Sequence, residues 1–222
     1  MRLSIVYILL CLMPIISLGQ NFGQDMASIT NSCINLKSNY TITSAMRAKN
    51  GQTRDQTVNI RMSGRDQYYA YDQKTELLIN RDMKIMLNKE FKVMMIDSSR
   101  VREKLDKLPI ELFDTFANIY SSINFKQLTP FKCQYTLVPI AGEVKKIVLV
   151  FDSRNYRIEK INMDAYDMAS AQDYTMTMTY VYSVFTSIPS TTSYVKKRSD
   201  GDLALQTKWQ SYELLNYYTP KN

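Results

Sequence analysis

Apolar and polar residues alternate with a period of two along most of this 222-residue chain, and that period is typical of β-strands. In the clearest stretch, 174–185, tyrosines and methionines share one face and threonines the other. Turn residues separate such stretches, and Asn50-Gly51 predicts a type I′ hairpin, in which both central residues need positive φ. Short strands in succession predict an antiparallel meander. The further predicted strands lie at 40–48, 58–62, 68–71, 76–80, 83–87, 91–96, 133–138, 145–151, 156–165, 192–198 and 203–218.

Two parts of the chain show helical spacing of apolar residues instead. Residues 22–37 carry apolar side chains three and four positions apart, which predicts a helix. A second stripe with this spacing contains Pro109, which is expected to divide it into helices at 99–107 and 109–121. The expected fold class is therefore α+β. We predict a curved antiparallel meander that forms an incomplete β-barrel, with helices covering its concave face.

The first 19 residues have the pattern of a secretory signal peptide. Arg2 precedes an almost unbroken apolar run, and the small residues Ser17 and Gly19 suit cleavage after Gly19. The run is shorter than the roughly 20 apolar residues of a membrane-spanning helix. We therefore expect 1–19 to be removed and 20–222 to be exported as a single domain. An uncleaved membrane anchor is the alternative.

The chain contains no histidine, which removes the commonest general base and the usual zinc ligand. It also has no glycine-rich phosphate loop, no G-x-S-x-G and no C-x-x-C motif. We therefore expect a protein that is not an enzyme and uses neither a cofactor nor a metal. Its 28 basic and 21 acidic residues are scattered rather than clustered, so no nucleic-acid partner is expected.

Two cysteines, Cys33 and Cys133, follow the predicted signal peptide. Export into an oxidising compartment favours a disulfide between them. Two separate buried thiols are the alternative.

Methionine (13 residues) and tyrosine (16 residues) are abundant, and methionine suits apolar surfaces that adapt to varied partners. A strand points alternate side chains to one face, so the Met and Tyr set of 174–185 is expected to face the helices at 99–121. Space left between helices and sheet would form an apolar ligand cavity; a filled, methionine-rich core is the alternative. The expected lining residues are Ile60, Met62, Ile79, Leu105, Leu112, Phe116, Met176, Met178, Tyr180 and Tyr182.

The order of these elements resembles that of the LolA family, the periplasmic carriers that sort lipoproteins to the outer membrane. The resemblance is carried by the strands at 68–72 and 76–80, the helices in mid-chain, and the strand pair at 147–152 and 157–163. It implies an incomplete barrel with a helical lid over an apolar cavity that holds acyl chains. It also implies a soluble location in the periplasm of a Gram-negative bacterium.

This chain departs from the family pattern in three places. The Arg-Pro signature after the second strand is absent, and Arg47 and Arg61 lie in the region of a family arginine without a recognisable motif. The chain also continues past the matching part, over 187–222. The resemblance implies a non-catalytic carrier whose partners are the acyl chains of lipids or lipoproteins. The second hypothesis is a structural or assembly component of a cell-envelope machine, with an envelope protein as its partner.

Overall fold

A computed structural model describes residues 22–34, 37–64, 67–98, 119–168 and 171–218. These residues form one α-helix, two short 3-10 helices and fourteen strands. The helix, α1, spans Phe22–Ile34. The strands are β1 Lys37–Ala48, β2 Thr53–Ser63, β3 Gln67–Tyr71, β4 Thr75–Ile79, β5 Met83–Asn88, β6 Val93–Ser98, β7 Tyr120–Thr129, β8 Lys132–Pro139, β9 Val144–Asp152, β10 Arg157–Asp167, β11 Gln172–Ser183, β12 Val195–Lys197, β13 Leu203–Leu205 and β14 Glu213–Tyr217.

Twelve of these strands form one curved sheet in the order β14-β6-β5-β4-β3-β2-β1-β11-β10-β9-β8-β7. Neighbouring strands are antiparallel except for β14, which runs parallel to β6 at one edge. Strands β12 and β13 form a separate hairpin. The predicted α+β class and curved antiparallel sheet are confirmed, and the sheet does not close into a barrel.

The hairpin between β1 and β2 differs in detail from its prediction. The backbone N–H of Ala48 donates to the carbonyl of Gln52 at 2.9 Å, so the loop between them holds three residues. Within it, Gly51 has a φ of 87° and Asn50 does not have a positive φ. The predicted type I′ turn is therefore wrong. A three-residue loop with glycine in the left-handed position is the next commonest hairpin connection, and it also suits an Asn-Gly sequence.

Helix α1 packs on one face of the sheet, which we call the helix face. Its buried residues Phe22, Met26 and Ile29 lie against strands β8 to β10. A buried hydrogen bond joins the two layers, because the hydroxyl of Tyr135 donates to the carboxylate of Asp25 at 2.6 Å. The sheet side of this core consists of Cys133, Tyr135, Leu137, Leu149, Phe151, Ile158 and Ile161.

A second core lies on the opposite face of the sheet, over β3 to β6. There the C-terminal segment, residues 187–218, covers the strands with Tyr194, Val195 and flanking apolar side chains. Aromatic packing holds the segment together, since the rings of Tyr194 and Trp209 stack with centroids 5.8 Å apart. The buried sheet residues are Tyr69, Leu78, Met83, Ile85, Leu87, Met94 and Ile96.

Two helix predictions differ from the structure at their ends. The helix expected at 22–37 ends at Ile34, and Lys37 already begins β1. The helices expected at 99–107 and 109–121 fall almost entirely on 99–118, which lie outside the described residues. Where description resumes, Tyr120 begins β7 rather than ending a helix. Helices covering the concave face are thus not confirmed. Among the described residues, no helix is long and apolar enough to cross a bilayer.

Candidate functional site

A row of tyrosine and methionine side chains crosses the helix face in the middle of the sheet. We call it the Tyr/Met stripe, and it comprises Tyr40, Met62, Tyr68, Met176, Met178, Tyr180 and Tyr182. Strand register places these residues on one face. Tyr182 lies opposite Tyr40, and Tyr40 lies opposite Ile60. Met62 lies opposite Tyr68, which in turn lies opposite Ile79.

Contacts between rings make the stripe continuous. The ring centroid of Tyr40 lies 5.4 Å from that of Tyr182 and 6.1 Å from that of Tyr180. The Tyr40 hydroxyl donates to the sulfur of Met62 at 3.6 Å. These tyrosines are half-buried. Each therefore packs its ring against neighbours while part of it reaches the surface of the sheet.

Methionines dominate the end of the stripe at Met176, away from Tyr182. Met176 lies opposite Met46 on β1 and opposite Met163 on β10, so three methionines stand side by side across adjacent strands. All three are half-buried. Their unbranched thioether side chains adopt many rotamers at little cost, so this end of the stripe can change shape.

The predicted lining residues are divided between two packing clusters. Met178 and Tyr180 pack against the core under α1. Ile60 and Met62 belong to a separate cluster over β1 to β4. The other described members, Ile79, Met176 and Tyr182, lie on the same face by register. Leu105, Leu112 and Phe116 lie outside the described residues. That these residues line a ligand cavity stays a prediction.

The phenols of the stripe are held neutral. Loss of hydration on burial raises the pKa of Tyr180 to about 12 and raises the pKa of Tyr40 and Tyr182 as well. The hydroxyl groups therefore stay protonated at any physiological pH. The stripe is an uncharged surface with a few hydrogen-bond donors.

A cationic side chain, Arg157, lies at the end of the stripe formed by Tyr182. The guanidinium carbon of Arg157 lies 4.8 Å from the ring centroid of Tyr182, over the ring face. Arg157 was not among the residues predicted from the sequence. The alternation of 156–165 assigns faces within one strand, but contact with β11 depends on pairing between strands. Tyr40, Met46, Tyr68 and Met163 were missed for the same reason.

Cys33 and Cys133 are both buried free thiols, so the predicted disulfide is not formed. Cys33 lies close enough to Tyr40 and Tyr182, on β1 and β11, to influence their pKa values. Cys133 lies on β8, three strands from β11 and about 14 Å away along the sheet. A disulfide needs Cα atoms within about 7 Å of each other. Burial raises the pKa of both thiols, which keeps them protonated.

On the opposite face, a half-buried carboxylate connects the C-terminal segment to the sheet. Glu76 accepts hydrogen bonds from the hydroxyls of Tyr194 at 2.7 Å and Tyr69 at 3.0 Å. It also forms an ion pair with Lys89 at 2.9 Å. Arg61 on the sheet makes a second contact with the C-terminal segment, because its Nη1 donates to the carbonyl of Ser187 at 2.9 Å. Residues 187–218 are therefore packed and hydrogen-bonded to the sheet as part of the same fold.

The carboxylate of Glu76 makes the free energy of unfolding depend on pH. Desolvation is the largest single influence on Glu76 and opposes its ionisation, but the hydrogen bonds from Lys89, Tyr194 and Tyr69 together hold its pKa below the ordinary 4.5. A carboxyl with a lowered pKa in the folded state stabilises the fold above its unfolded pKa, and that contribution is lost as pH falls through the folded value.

We therefore expect the free energy of unfolding of Glu76→Gln to fall less steeply than that of the parent below about pH 4.5. Urea unfolding at pH 7 and at pH 3.5 measures the difference. Glu213→Gln, an exposed position on β14, is the control and should follow the parent curve. Parallel curves for Glu76→Gln and the parent would contradict this role of Glu76.

The described residues contain no group of three or more His, Cys, Asp or Glu side chains placed to hold a metal ion. The polar groups that contact the stripe include its own phenols, the guanidinium of Arg157 and the buried thiol of Cys33. What the arrangement offers is an apolar surface, adaptable at one end and cationic at the other. This chemistry suits the binding of an amphiphile.

No family model matches the chain, and no curated protein matches it. Among solved structures, a LolA superfamily protein from Nitrosomonas europaea aligns with 10% identity and a TM-score of 0.35, over 76% of this chain and 94% of its own. A putative outer membrane lipoprotein-sorting protein domain from Vibrio parahaemolyticus aligns with 14% identity and a TM-score of 0.32, over 75% and 95%. MucB in complex with MucA aligns with 8% identity and a TM-score of 0.42, over 75% of this chain and 57% of MucB. With identities of 8–14% and TM-scores of 0.32–0.42, these alignments assign neither a family nor a function to this chain.

Proposed function

We propose that this protein is a non-catalytic carrier that binds the acyl chains of a lipid or lipoprotein against the Tyr/Met stripe. The observation that carries the proposal is the stripe itself. Seven tyrosine and methionine side chains follow one another on the same face of β11, β1, β2 and β3. They are uncharged, and all but the buried Met62 are half-buried. A surface of this kind is costly to leave in water and suits an apolar ligand.

The dimensions of the stripe suit an acyl chain. Met176 and Tyr182 are six residues apart on β11, which corresponds to about 20 Å along the strand. That length is comparable with an extended long-chain acyl group. Each buried methylene contributes about 0.8 kcal/mol, so burying about ten of them contributes about 8 kcal/mol before the cost of association is subtracted.

The proposed location follows from the predicted signal peptide. With residues 1–19 removed, the carrier would act in the periplasm of a Gram-negative bacterium, as the resemblance to the LolA family implies. The whole of 20–222 would act as one domain, because the C-terminal segment packs on the same sheet that carries the stripe.

A structural or assembly component of the cell envelope is the second candidate. It is favoured by exposed apolar side chains at the β7 edge of the sheet. Ile119 and Ile140 meet at one end of β7, where the N–H of Ile140 donates to the carbonyl of Ile119 at 2.7 Å. Leu128 and Phe131 are exposed at the other end. An envelope protein that pairs with this edge would cover them.

Lipid analysis of the purified protein separates the two candidates. The protein is exported under its own signal peptide, and its mature mass is checked against a start at Gln20. A carrier is expected to hold acyl lipids in close to stoichiometric amounts, seen by mass spectrometry of an organic extract. A sample free of lipid that also fails to take up added fatty acid would exclude the carrier and leave the scaffold.

A further inference from the structure

The stripe ends at a half-buried cation that has no ion-pair partner within the described residues. Arg157 is half-buried, and its Nε atom is buried with no hydrogen-bond partner in the part of the chain that the structure describes. Buried donors are rarely left without a partner, because the lost hydrogen bonds to water are not replaced. An unpartnered guanidinium nitrogen therefore indicates a group that completes it.

The acidic side chains beside Arg157 are already paired with other cations. Asp152, its cross-strand neighbour, forms an ion pair with Arg154 at 2.6 Å. Glu159 forms an ion pair with Lys132 at 2.6 Å. Among the described residues, no carboxylate forms an ion pair with Arg157. A positive charge in this setting attracts an external anion.

The cation is also continuous with the stripe. Its guanidinium covers the ring of Tyr182, that ring contacts Tyr40, and the Tyr40 hydroxyl reaches Met62. With one face on an aromatic ring, a guanidinium keeps its edge for carboxylate or phosphate oxygens, which it binds through two parallel N–H donors. An apolar tail along the stripe would bring a negatively charged head to this edge.

We propose that Arg157 binds an oxyanion that forms part of the acyl ligand, either the carboxylate of a fatty acid or the phosphate of a lipid. This inference rests on the proposed function and narrows it, because the ligand is an anionic amphiphile rather than any acyl chain. Tyr182 positions the guanidinium, and the tail lies toward Met176.

The test compares three acyl probes on the full mature chain, each displacing an uncharged fluorescent acyl ligand. The probes are palmitate, 1-palmitoyl lysophosphatidate and methyl palmitate, which share one chain and differ in the head. A charge-assisted contact predicts that palmitate, lysophosphatidate or both bind about tenfold or more tightly than the methyl ester. The tighter of the two anions identifies the head as carboxylate or phosphate. Inorganic phosphate alone should leave the fluorescent ligand bound, and displacement by it would overturn the proposal.

Arg157→Gln is expected to bring the affinity for the preferred anion down to that for the methyl ester, with the ester unchanged. Arg157→Lys keeps a charge without the planar donors and should retain part of the preference. Arg154→Gln is the matched control, because that guanidinium is exposed and already paired with Asp152. Its anion preference should equal that of the parent.

The outcomes separate this inference from the function on which it rests. Equal affinity of the parent for both anions and the ester would overturn the role of Arg157 and leave the carrier intact. A preference for the anionic probes over the methyl ester that persists in Arg157→Gln would also overturn the role of Arg157. Failure of all three probes to bind would overturn the carrier too. The comparison within the parent protein needs no variant, so it decides even if Arg157→Gln does not fold.

Discussion

Removal of residues 187–222 is expected to leave a chain that does not fold stably. The described part of that segment covers five sheet residues that are at most 2% exposed, Leu78, Ile85, Leu87, Met94 and Ile96. Burying a side chain of this size contributes about 1.5–3 kcal/mol, so together they contribute about 7–15 kcal/mol. That sum is comparable with the whole stability of a typical domain, about 5–15 kcal/mol. The truncated chain should therefore be insoluble or lack a cooperative unfolding transition.

Circular dichroism and urea unfolding of the truncated and full mature chains measure this effect. A milder change, Trp209→Ala, removes the ring that stacks on Tyr194 and the hydrogen bond from its Nε1 to the carbonyl of Ser193. It should cost about 2–4 kcal/mol. Gln210→Ala, at the exposed position on the other side of Trp209, is the control and should cost less than about 1 kcal/mol. A truncated chain with the unfolding free energy of the parent would contradict a second core on this face.

The sequence predicted most strands because alternation and turn residues are local properties. It missed β7, and it placed β14 inside a longer stretch, 203–218, without its partner. Before β7, apolar residues at 112, 116, 119 and 123 continue a helical spacing, so the pattern extends into what is a strand. Strand β14 pairs in parallel with β6, from which it is separated by most of the second half of the chain. Nothing in the residues around 213–217 specifies that partner.

The candidate site shows the same division between local and distant information. Alternation correctly placed Met176, Met178, Tyr180 and Tyr182 on one face, because that depends on β11 alone. The contact of Tyr182 with Arg157 depends on where β10 begins relative to β11. The register of β10 against β9 also shifts between Ile158 and Lys160. Such a shift changes which side chains share a face, and no residue type in the sequence predicts where it occurs.

The predicted disulfide failed for a related reason. The inference used the number of cysteines and the expected compartment, and neither of these gives the distance between Cys33 and Cys133. The order of strands in the sheet, which puts β8 three places from β11, decides the separation. That order follows from pairing between distant parts of the chain, above all from β1 with β11.

Met178→Asp is expected to abolish acyl-chain binding. Met178 is half-buried in the middle of the stripe, beside Tyr180 on the same face, and packs against the core under α1. A carboxylate at this position would have to lose its water when an acyl chain lies over it. That cost amounts to several kcal/mol for an unpaired charge, or more than about a hundredfold in affinity. Stability should fall as well.

Two further variants separate binding from stability. Met178→Ala shortens the side chain without adding charge. In a carrier with an adaptable stripe it should cost less than about 2 kcal/mol, whereas in a filled core it should cost about 2–5 kcal/mol. Thr179→Asp introduces the same carboxylate one residue further along β11, at an exposed position on the opposite face. It should bind acyl chains as the parent does.

The most direct test of the carrier is a titration of the parent, Met178→Asp and Thr179→Asp with a fluorescent fatty acid, alongside urea unfolding of all three. We predict saturable binding by the parent and by Thr179→Asp, and no binding by Met178→Asp at a temperature where unfolding shows that it is folded. The contrary result is a parent that binds no fatty acid and a Met178→Ala variant that loses several kcal/mol of stability. That result would mean that the stripe is filled core and that the protein does not carry acyl chains on this face.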